Sequence, residues 1–125
     1  VRRAIVPRGA KAFGPYSPGV QAGPFLFVSG QLPVLPSGEL HSGPIGEQTR
    51  LCLENIARIV EAGGGTLAHL VKVTVFLADM NDFAAMNSAY ATFFDRDPPA
   101  RACVEVRRLP KDARIEIEAV AYLGS

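Results

Sequence analysis

Cysteine and histidine are scarce in this chain, with two of each in 125 residues. Cys52 and Cys103 fall on different expected elements, and two thiols are too few for a disulfide framework or a thiolate zinc site. His41 and His69 lack the spacing of a helical ligand pair, so no metal site is expected. Net charge is nearly absent as well: 13 Lys and Arg against 12 Asp and Glu leave +1. That balance gives no electrostatic footprint for a nucleic acid or a membrane. Arg2, Arg3, Arg8 and Lys11 do gather near the start of the chain. No aromatics interleave with them as a single-strand platform requires, so they read as a solvated basic segment. No apolar run is long enough to cross a bilayer, and no stretch has the apolar core of a signal peptide. A reducing, cytoplasmic setting is therefore expected. There is no internal repeat and no low-complexity linker, and residues 1–125 read as one domain.

What is present is an ordinary globular composition, 48% apolar and 20% charged. Residues Ala4 to Ala22 are rich in Pro and Gly and suggest short edge strands with a loop. Phe25 to Ser29 is a compact apolar run between Gly23-Pro24 and Gly30, which suggests a buried strand. Gln31 to Gly43 reads as a surface loop. Gly46 to Ala62 carries Cys52, Leu53, Ile56, Ile59 and Val60 at helical spacing, and Gly63-Gly64-Gly65 stops it. Leu70 to Leu77 alternates as a strand, with Val71, Val73, Val75 and Leu77 on one face and Lys72, Thr74 and Phe76 on the other. Asn81 is the expected N-cap of a second helix that buries Phe83, Met86, Tyr90 and Phe93 or Phe94, and Pro98-Pro99 prevents its continuation. Two strands follow, joined by a turn around Pro110-Lys111-Asp112. The order is β-β-α-β-α-β-β: an α+β domain with two helices on one face of a mixed sheet. The other face would carry Lys72, Thr74, Phe76, Arg101, Cys103, Glu105, Glu116 and Glu118. A face of that composition suits contact with another copy, so a homo-oligomer with the site between subunits is expected. A monomer with a solvated antiparallel face fits the same pattern.

The segment Pro99 to Val106, P-A-R-A-C-V-E-V, carries the most chemistry. Ala102, Val104 and Val106 alternate with Arg101, Cys103, Glu105 and Arg107, so a guanidinium, a thiol and a carboxylate share one strand face. From Arg114 to Ala121, Ile115, Ile117, Ala119 and Ala121 alternate with Arg114, Glu116 and Glu118. An arginine and a glutamate presented by two regular strands are expected to suit a small carboxylate.

Seven segments in order give the chain a resemblance. They are G-P-Y-S at 14–17, V-S-G-Q-L-P at 28–33, E-Q-T-R with L-E-N-I at 47–56, V-K-V-T-V-F-L-A-D-M at 71–80, N-D-F-A-A-M-N at 81–87, P-A-R-A-C-V-E-V at 99–106 and I-E-I-E-A-V-A at 115–121. Over nearly its full length the chain resembles the Rid, or YjgF, family of reactive intermediate deaminases. The resemblance implies a chorismate-mutase-like α+β fold and a homotrimer with three clefts between subunits. It implies deamination of 2-imino and 2-enamino acids, released by pyridoxal-phosphate enzymes, to 2-oxo acids and ammonia (2-iminobutanoate/2-iminopropanoate deaminase activity). It implies no cofactor. Pro18-Gly19 departs from the family pattern and is expected to alter the rim of the cleft.

Arg101 suits the carboxylate of such a substrate, because its planar fork donates two parallel hydrogen bonds. The bland alternative is a structural ion pair. Glu118 is the candidate for placing the attacking water and shuttling a proton, against a salt bridge to a neighbouring strand. Glu105 and Glu116 read as structural or interfacial. Cys103 reads as a packed strand residue whose backbone N–H faces the substrate, since no His or Asn/Asp partner activates it as a nucleophile. Tyr16 either caps the cleft with its hydroxyl or anchors a loop. Ser29 and Gly30 end a buried strand, and Gly30 either lets a ligand approach the backbone or makes a turn. Asn87 is a ligand contact by resemblance and a helix-surface amide otherwise. A protein that holds small carboxylates without turnover is the competing reading. A ribonuclease is disfavoured by the balanced charge and the missing catalytic His pair.

Overall fold

Periodicity and alternation resolve, in a computed structural model that describes residues 1–10 and 14–124, into strands and helices close to those expected. Lys11 lies outside the described residues. The strands are β1 (Arg2–Ile5), β2 (Gly19–Ala22), β3 (Phe25–Gln31), β4 (Leu70–Leu77), β5 (Ala100–Glu105) and β6 (Ile115–Tyr122). The helices are α1 (Ile45–Ala62) and α2 (Phe83–Ala91). The Pro/Gly-rich start of the chain thus supplies two short strands before β3. The sheet order is β1-β2-β3-β6-β4-β5. Neighbours run antiparallel except β4 and β5, which are parallel because α2 crosses over between them.

Both helices cover one face. Cys52, Leu53, Ile56, Ile59 and Val60 of α1, with Met86 and Tyr90 of α2, pack on Leu26, Val28, Val73, Val75, Leu77, Ile115, Ile117, Ala119 and Ala121. Each buried Val, Leu, Ile or Met among them contributes about 1.5–3 kcal/mol when it leaves water. Buried polar groups on α1 are satisfied locally. Asn55 donates to the carbonyls of Leu32 and Val34, 3.2 Å each, and latches the 31–43 loop onto the helix. The helix ends in a paired-carbonyl cap: Gly64 (φ +96°) takes the left-handed turn, Gly65 N–H donates to Val60 O and Gly64 N–H to Glu61 O.

Three local expectations need correction. Asp79, not Asn81, is the capping residue: Asp79 Oδ1 accepts from Asn81 N–H at 2.9 Å, and a single tight turn over Met80–Asp82 precedes α2. Val71 is exposed rather than core. The ladder between β4 and β6 skips from Leu70↔Ala121 to Lys72↔Val120, and this bulge turns Val71 outward. Phe83 is also largely exposed rather than buried.

The largest correction concerns β5. Arg101 pairs with Val73, Cys103 with Val75 and Glu105 with Leu77. Directly paired residues share a face, so Arg101 and Cys103 lie on the helix side. Ala102 and Val104 lie on the open side with Thr74 and Phe76. Alternation separates two sets of side chains but does not say which set meets the helices. Here the edge position of β5 decides it, because a long arginine stem can run along α2.

The open face is apolar at both ends. Leu32, Leu109 and Ala113 form a small buried cluster with Phe76 and Val106. Phe25, Phe27, Val104 and Tyr122 are 40%, 49%, 42% and 41% exposed. No helix among the described residues is long and apolar enough to cross a membrane.

Candidate active site

Two groups of the expected site residues form, one on each side of the sheet. On the helix side, Arg101 projects from the edge strand toward α2. Its guanidinium lies 4.8 Å from the Tyr90 ring centre and 5.8 Å from that of Phe83. Arg101 Nη1 donates weakly to Met86 Sδ at 3.8 Å. No carboxylate among the described residues pairs with it. Cys103 is half-buried against the core, and burial raises its thiol pKa although Arg101 pulls the other way. The group is a thiol, not a thiolate, at neutral pH. Asn87 is half-buried on α2, one turn from Phe83, on the stripe that also carries Met86 and Tyr90. Glu105 accepts from Met80 N–H at 2.7 Å and ties β5 to the turn before α2.

The second group surrounds a cavity of about 430 Å³ bordered by Tyr16, Pro18, Gly30 and Glu116. Glu116 pairs across to Phe76, which puts it on the open side. A methyl group at Gly30 would run into the Glu116 carboxylate, so glycine leaves this side chain the position it takes here. Burial raises the Glu116 pKa, and the negative charge of Glu118 raises it further. Ser29 is committed to architecture: Oγ donates to Ser17 O at 2.6 Å, and its N–H donates to Pro18 O at 2.9 Å. Both bonds hold the loop that carries Tyr16 over the cavity.

Glu118 is exposed on the open face, paired with Thr74, and does not border the cavity. Arg101 and the two glutamates therefore do not line one face of a single chain, as the alternation led us to expect. The carboxylate that borders the cavity is Glu116, expected from the alternation to be structural or interfacial. The signal that separates the two lies on another strand: Gly30, whose missing side chain makes the space.

Both histidines have structural partners. His41 Nε2 lies 2.9 Å from Glu47 Oε2, and His69 Nδ1 accepts from Thr66 N–H at 3.0 Å.

Residues 7–123 match the Endoribonuclease L-PSP family. The chain belongs to this family. It is the family of the sequence resemblance, there under the names Rid and YjgF. Relatives of this chain carry other names. A RutC family protein of Pyrococcus horikoshii is 57% identical over 113 residues, 90% of each chain. The 2-iminobutanoate/2-iminopropanoate deaminase of Salmonella typhimurium is 49% identical over 113 residues, 88% of each chain. Among solved structures, Escherichia coli TdcF with bound serine has a TM-score of 0.90 and 44% identity, covering 96% of this chain and 98% of that one. The two helices on a mixed sheet are thus the fold of the L-PSP family, and the names of its relatives point to deamination of reactive intermediates.

Proposed function

We propose that this chain hydrolyses 2-imino and 2-enamino acids to 2-oxo acids and ammonia. The observation that carries the reading is the Arg101 guanidinium, held among aromatic side chains with no carboxylate partner among the described residues. Its donors suit a substrate carboxylate. Glu116 supplies the chemistry. Water adds through oxygen to C2 of the protonated imine, and Glu116 takes the proton that water loses. Glu116 then returns that proton to nitrogen in the tetrahedral adduct. The C–N bond breaks, and the remaining hydroxyl gives its proton to the departing ammonia as C=O forms, so that ammonium and the 2-oxo acid are released. A carboxyl with a raised pKa is a better base for the first transfer than an ordinary one. The reaction as written draws on no cofactor. We keep Asn87, Cys103, Tyr16, Ser29 and Gly30 around the substrate, with Ser29 acting through the Tyr16 loop.

We further propose that a complete site takes two copies. Arg101 and Glu116 lie on opposite sides of the sheet, and Phe25, Phe27, Val104 and Tyr122 are exposed on the open one. Repeated contact between two different surfaces gives a ring when its rotation closes, and the resemblance supports a ring of three. The cytoplasm, where pyridoxal-phosphate enzymes release such imines, is the setting this reading assigns. Two observations weigh against RNA as the substrate despite the family description: the +1 charge and the structural commitments of both histidines.

The test is a coupled assay in which threonine dehydratase generates 2-iminobutanoate and release of the 2-oxo acid is followed. Wild type accelerates release. Arg101→Ala lowers kcat/KM by about 30-fold or more, the loss of a charged bidentate contact. Glu116→Gln lowers kcat by about 10²- to 10⁴-fold. Binding of 2-oxobutanoate without acceleration by wild type would leave a carboxylate-binding protein instead.

A further inference from the structure

Arg101 raises a physical question that the proposed reaction does not answer. Its side chain is long and flexible, it sits on an edge strand, and no anion among the described residues holds it. A free guanidinium would lose its conformational freedom only when substrate arrives, and binding would be weaker by that cost.

The residues around it supply a different holder. Phe83, Met86 and Tyr90 recur at helical spacing on α2 and meet the guanidinium together. The ring centres at 4.8 Å and 5.8 Å are within the range at which an aromatic face attracts a cation. Tyr90 is only 7% exposed, so this attraction is little diluted by water. Its buried hydroxyl has no hydrogen-bond partner among the described residues. Burial also raises the pKa of that hydroxyl against the pull of Arg101, so the ring meets the cation as a neutral face and not as a phenolate. Arg101 also borders a hollow of about 300 Å³ with Phe94, Pro98 and Pro99, which leaves an open approach beside the held group.

We infer that Tyr90, supported by Phe83 and Met86, is a positioning residue that fixes the Arg101 guanidinium for the substrate carboxylate. An aspartate or glutamate in the same place would also fix the group. It would occupy the donors and neutralise the charge, and substrate would have to displace it. Aromatic faces hold the plane and, apart from the weak Nη1 contact with Met86 Sδ, leave the donors to a carboxylate. The inference rests on the deaminase reading for the identity of the carboxylate, but the holding of Arg101 is a separate claim.

Three variants separate the claims: Tyr90→Leu removes the ring, Tyr90→Phe keeps the ring and drops the hydroxyl, and Phe83→Leu removes the more exposed wall. Each is assayed for KM and kcat with freshly generated 2-iminobutanoate. Each is also examined by NMR at the Arg101 Nε–Hε signal, which an aromatic face shifts upfield. Tyr90→Leu is expected to raise KM by roughly 3- to 30-fold with kcat within about twofold, and its Arg101 signal moves downfield. Tyr90→Phe restores both readouts. Phe83→Leu moves both in the same direction by less, and it decides the matter if Tyr90→Leu does not fold. A folded Tyr90→Leu protein with unchanged KM and unchanged Arg101 signal overturns the inference. So does a Tyr90→Phe protein as impaired as Tyr90→Leu, since the hydroxyl and not the face would then matter. If wild type shows no turnover, the deaminase reading fails, and the Arg101 signal alone decides whether the clamp exists.

Discussion

Glu116 is the residue at which the proposed chemistry has a cost in stability. Its folded-state pKa is raised, first by burial and second by Glu118. A carboxyl with a raised folded pKa holds its proton more tightly in the native than in the unfolded chain. Stability therefore falls as pH rises through the ordinary carboxylate range toward the native pKa, and the penalty is fully present above it. Glu116→Gln removes the charge without changing the shape. We expect it to raise Tm at pH 7.5 and to leave Tm nearly unchanged near pH 4, while turnover is lost; thermal denaturation at the two pH values checks this. An equal rise at both would mean that ionisation is not the cause. Glu118→Gln should lower the Glu116 pKa by removing the like charge, so the acid limb of kcat moves to lower pH. Sequence alternation presents Glu116 and Glu118 as equivalent. Only the cross-strand neighbour, Gly30 on β3, distinguishes them, and its position depends on the irregular pairing between Val28 and Gln31.

At the scale of the element, α1 was fully legible. Its apolar stripe is strong, and the glycine run that follows has one dominant use. Gly64 holds φ +96° in the cap, so Gly64→Ala is expected to cost about 1–2 kcal/mol, read as a lowered midpoint in urea with an unchanged slope. A loss below about 0.3 kcal/mol would mean that the helix end relaxes instead. Strand β4 was legible in position but not at Val71, because a bulge adds one residue and inverts the local parity. The orientation of β5 was not legible at all. Its register is set by a parallel pairing across the α2 crossover, and its odd-numbered side chains follow the aromatic stripe of that helix. Both are long-range facts that the six-residue pattern A-R-A-C-V-E does not contain.

For the whole molecule, the sheet is a partition. Arg101 with its aromatic holders lies on one side and Glu116 with Gly30 on the other, so the assembly is expected to build each site from two chains. Mixing folded Arg101→Ala and Glu116→Gln chains under conditions that let subunits exchange provides the check. Each mutant alone is nearly inactive. In an equal mixture about one site in four combines the intact Arg101 of one chain with the intact Glu116 of its neighbour. Recovery of roughly a quarter of wild-type activity is expected; no recovery despite verified exchange would place both residues in a site within one chain.

The same partition governs how damage spreads through a mixed population of chains. If each site is built from two chains as proposed, a chain lacking only Arg101 spoils one site, because its Glu116 would still serve the adjacent copy. A chain lacking both spoils two. Diluted equally with wild type, the first leaves about half the sites working and the second about a quarter. Two lesions that would be redundant in a self-contained enzyme therefore compound when a single allele carries both.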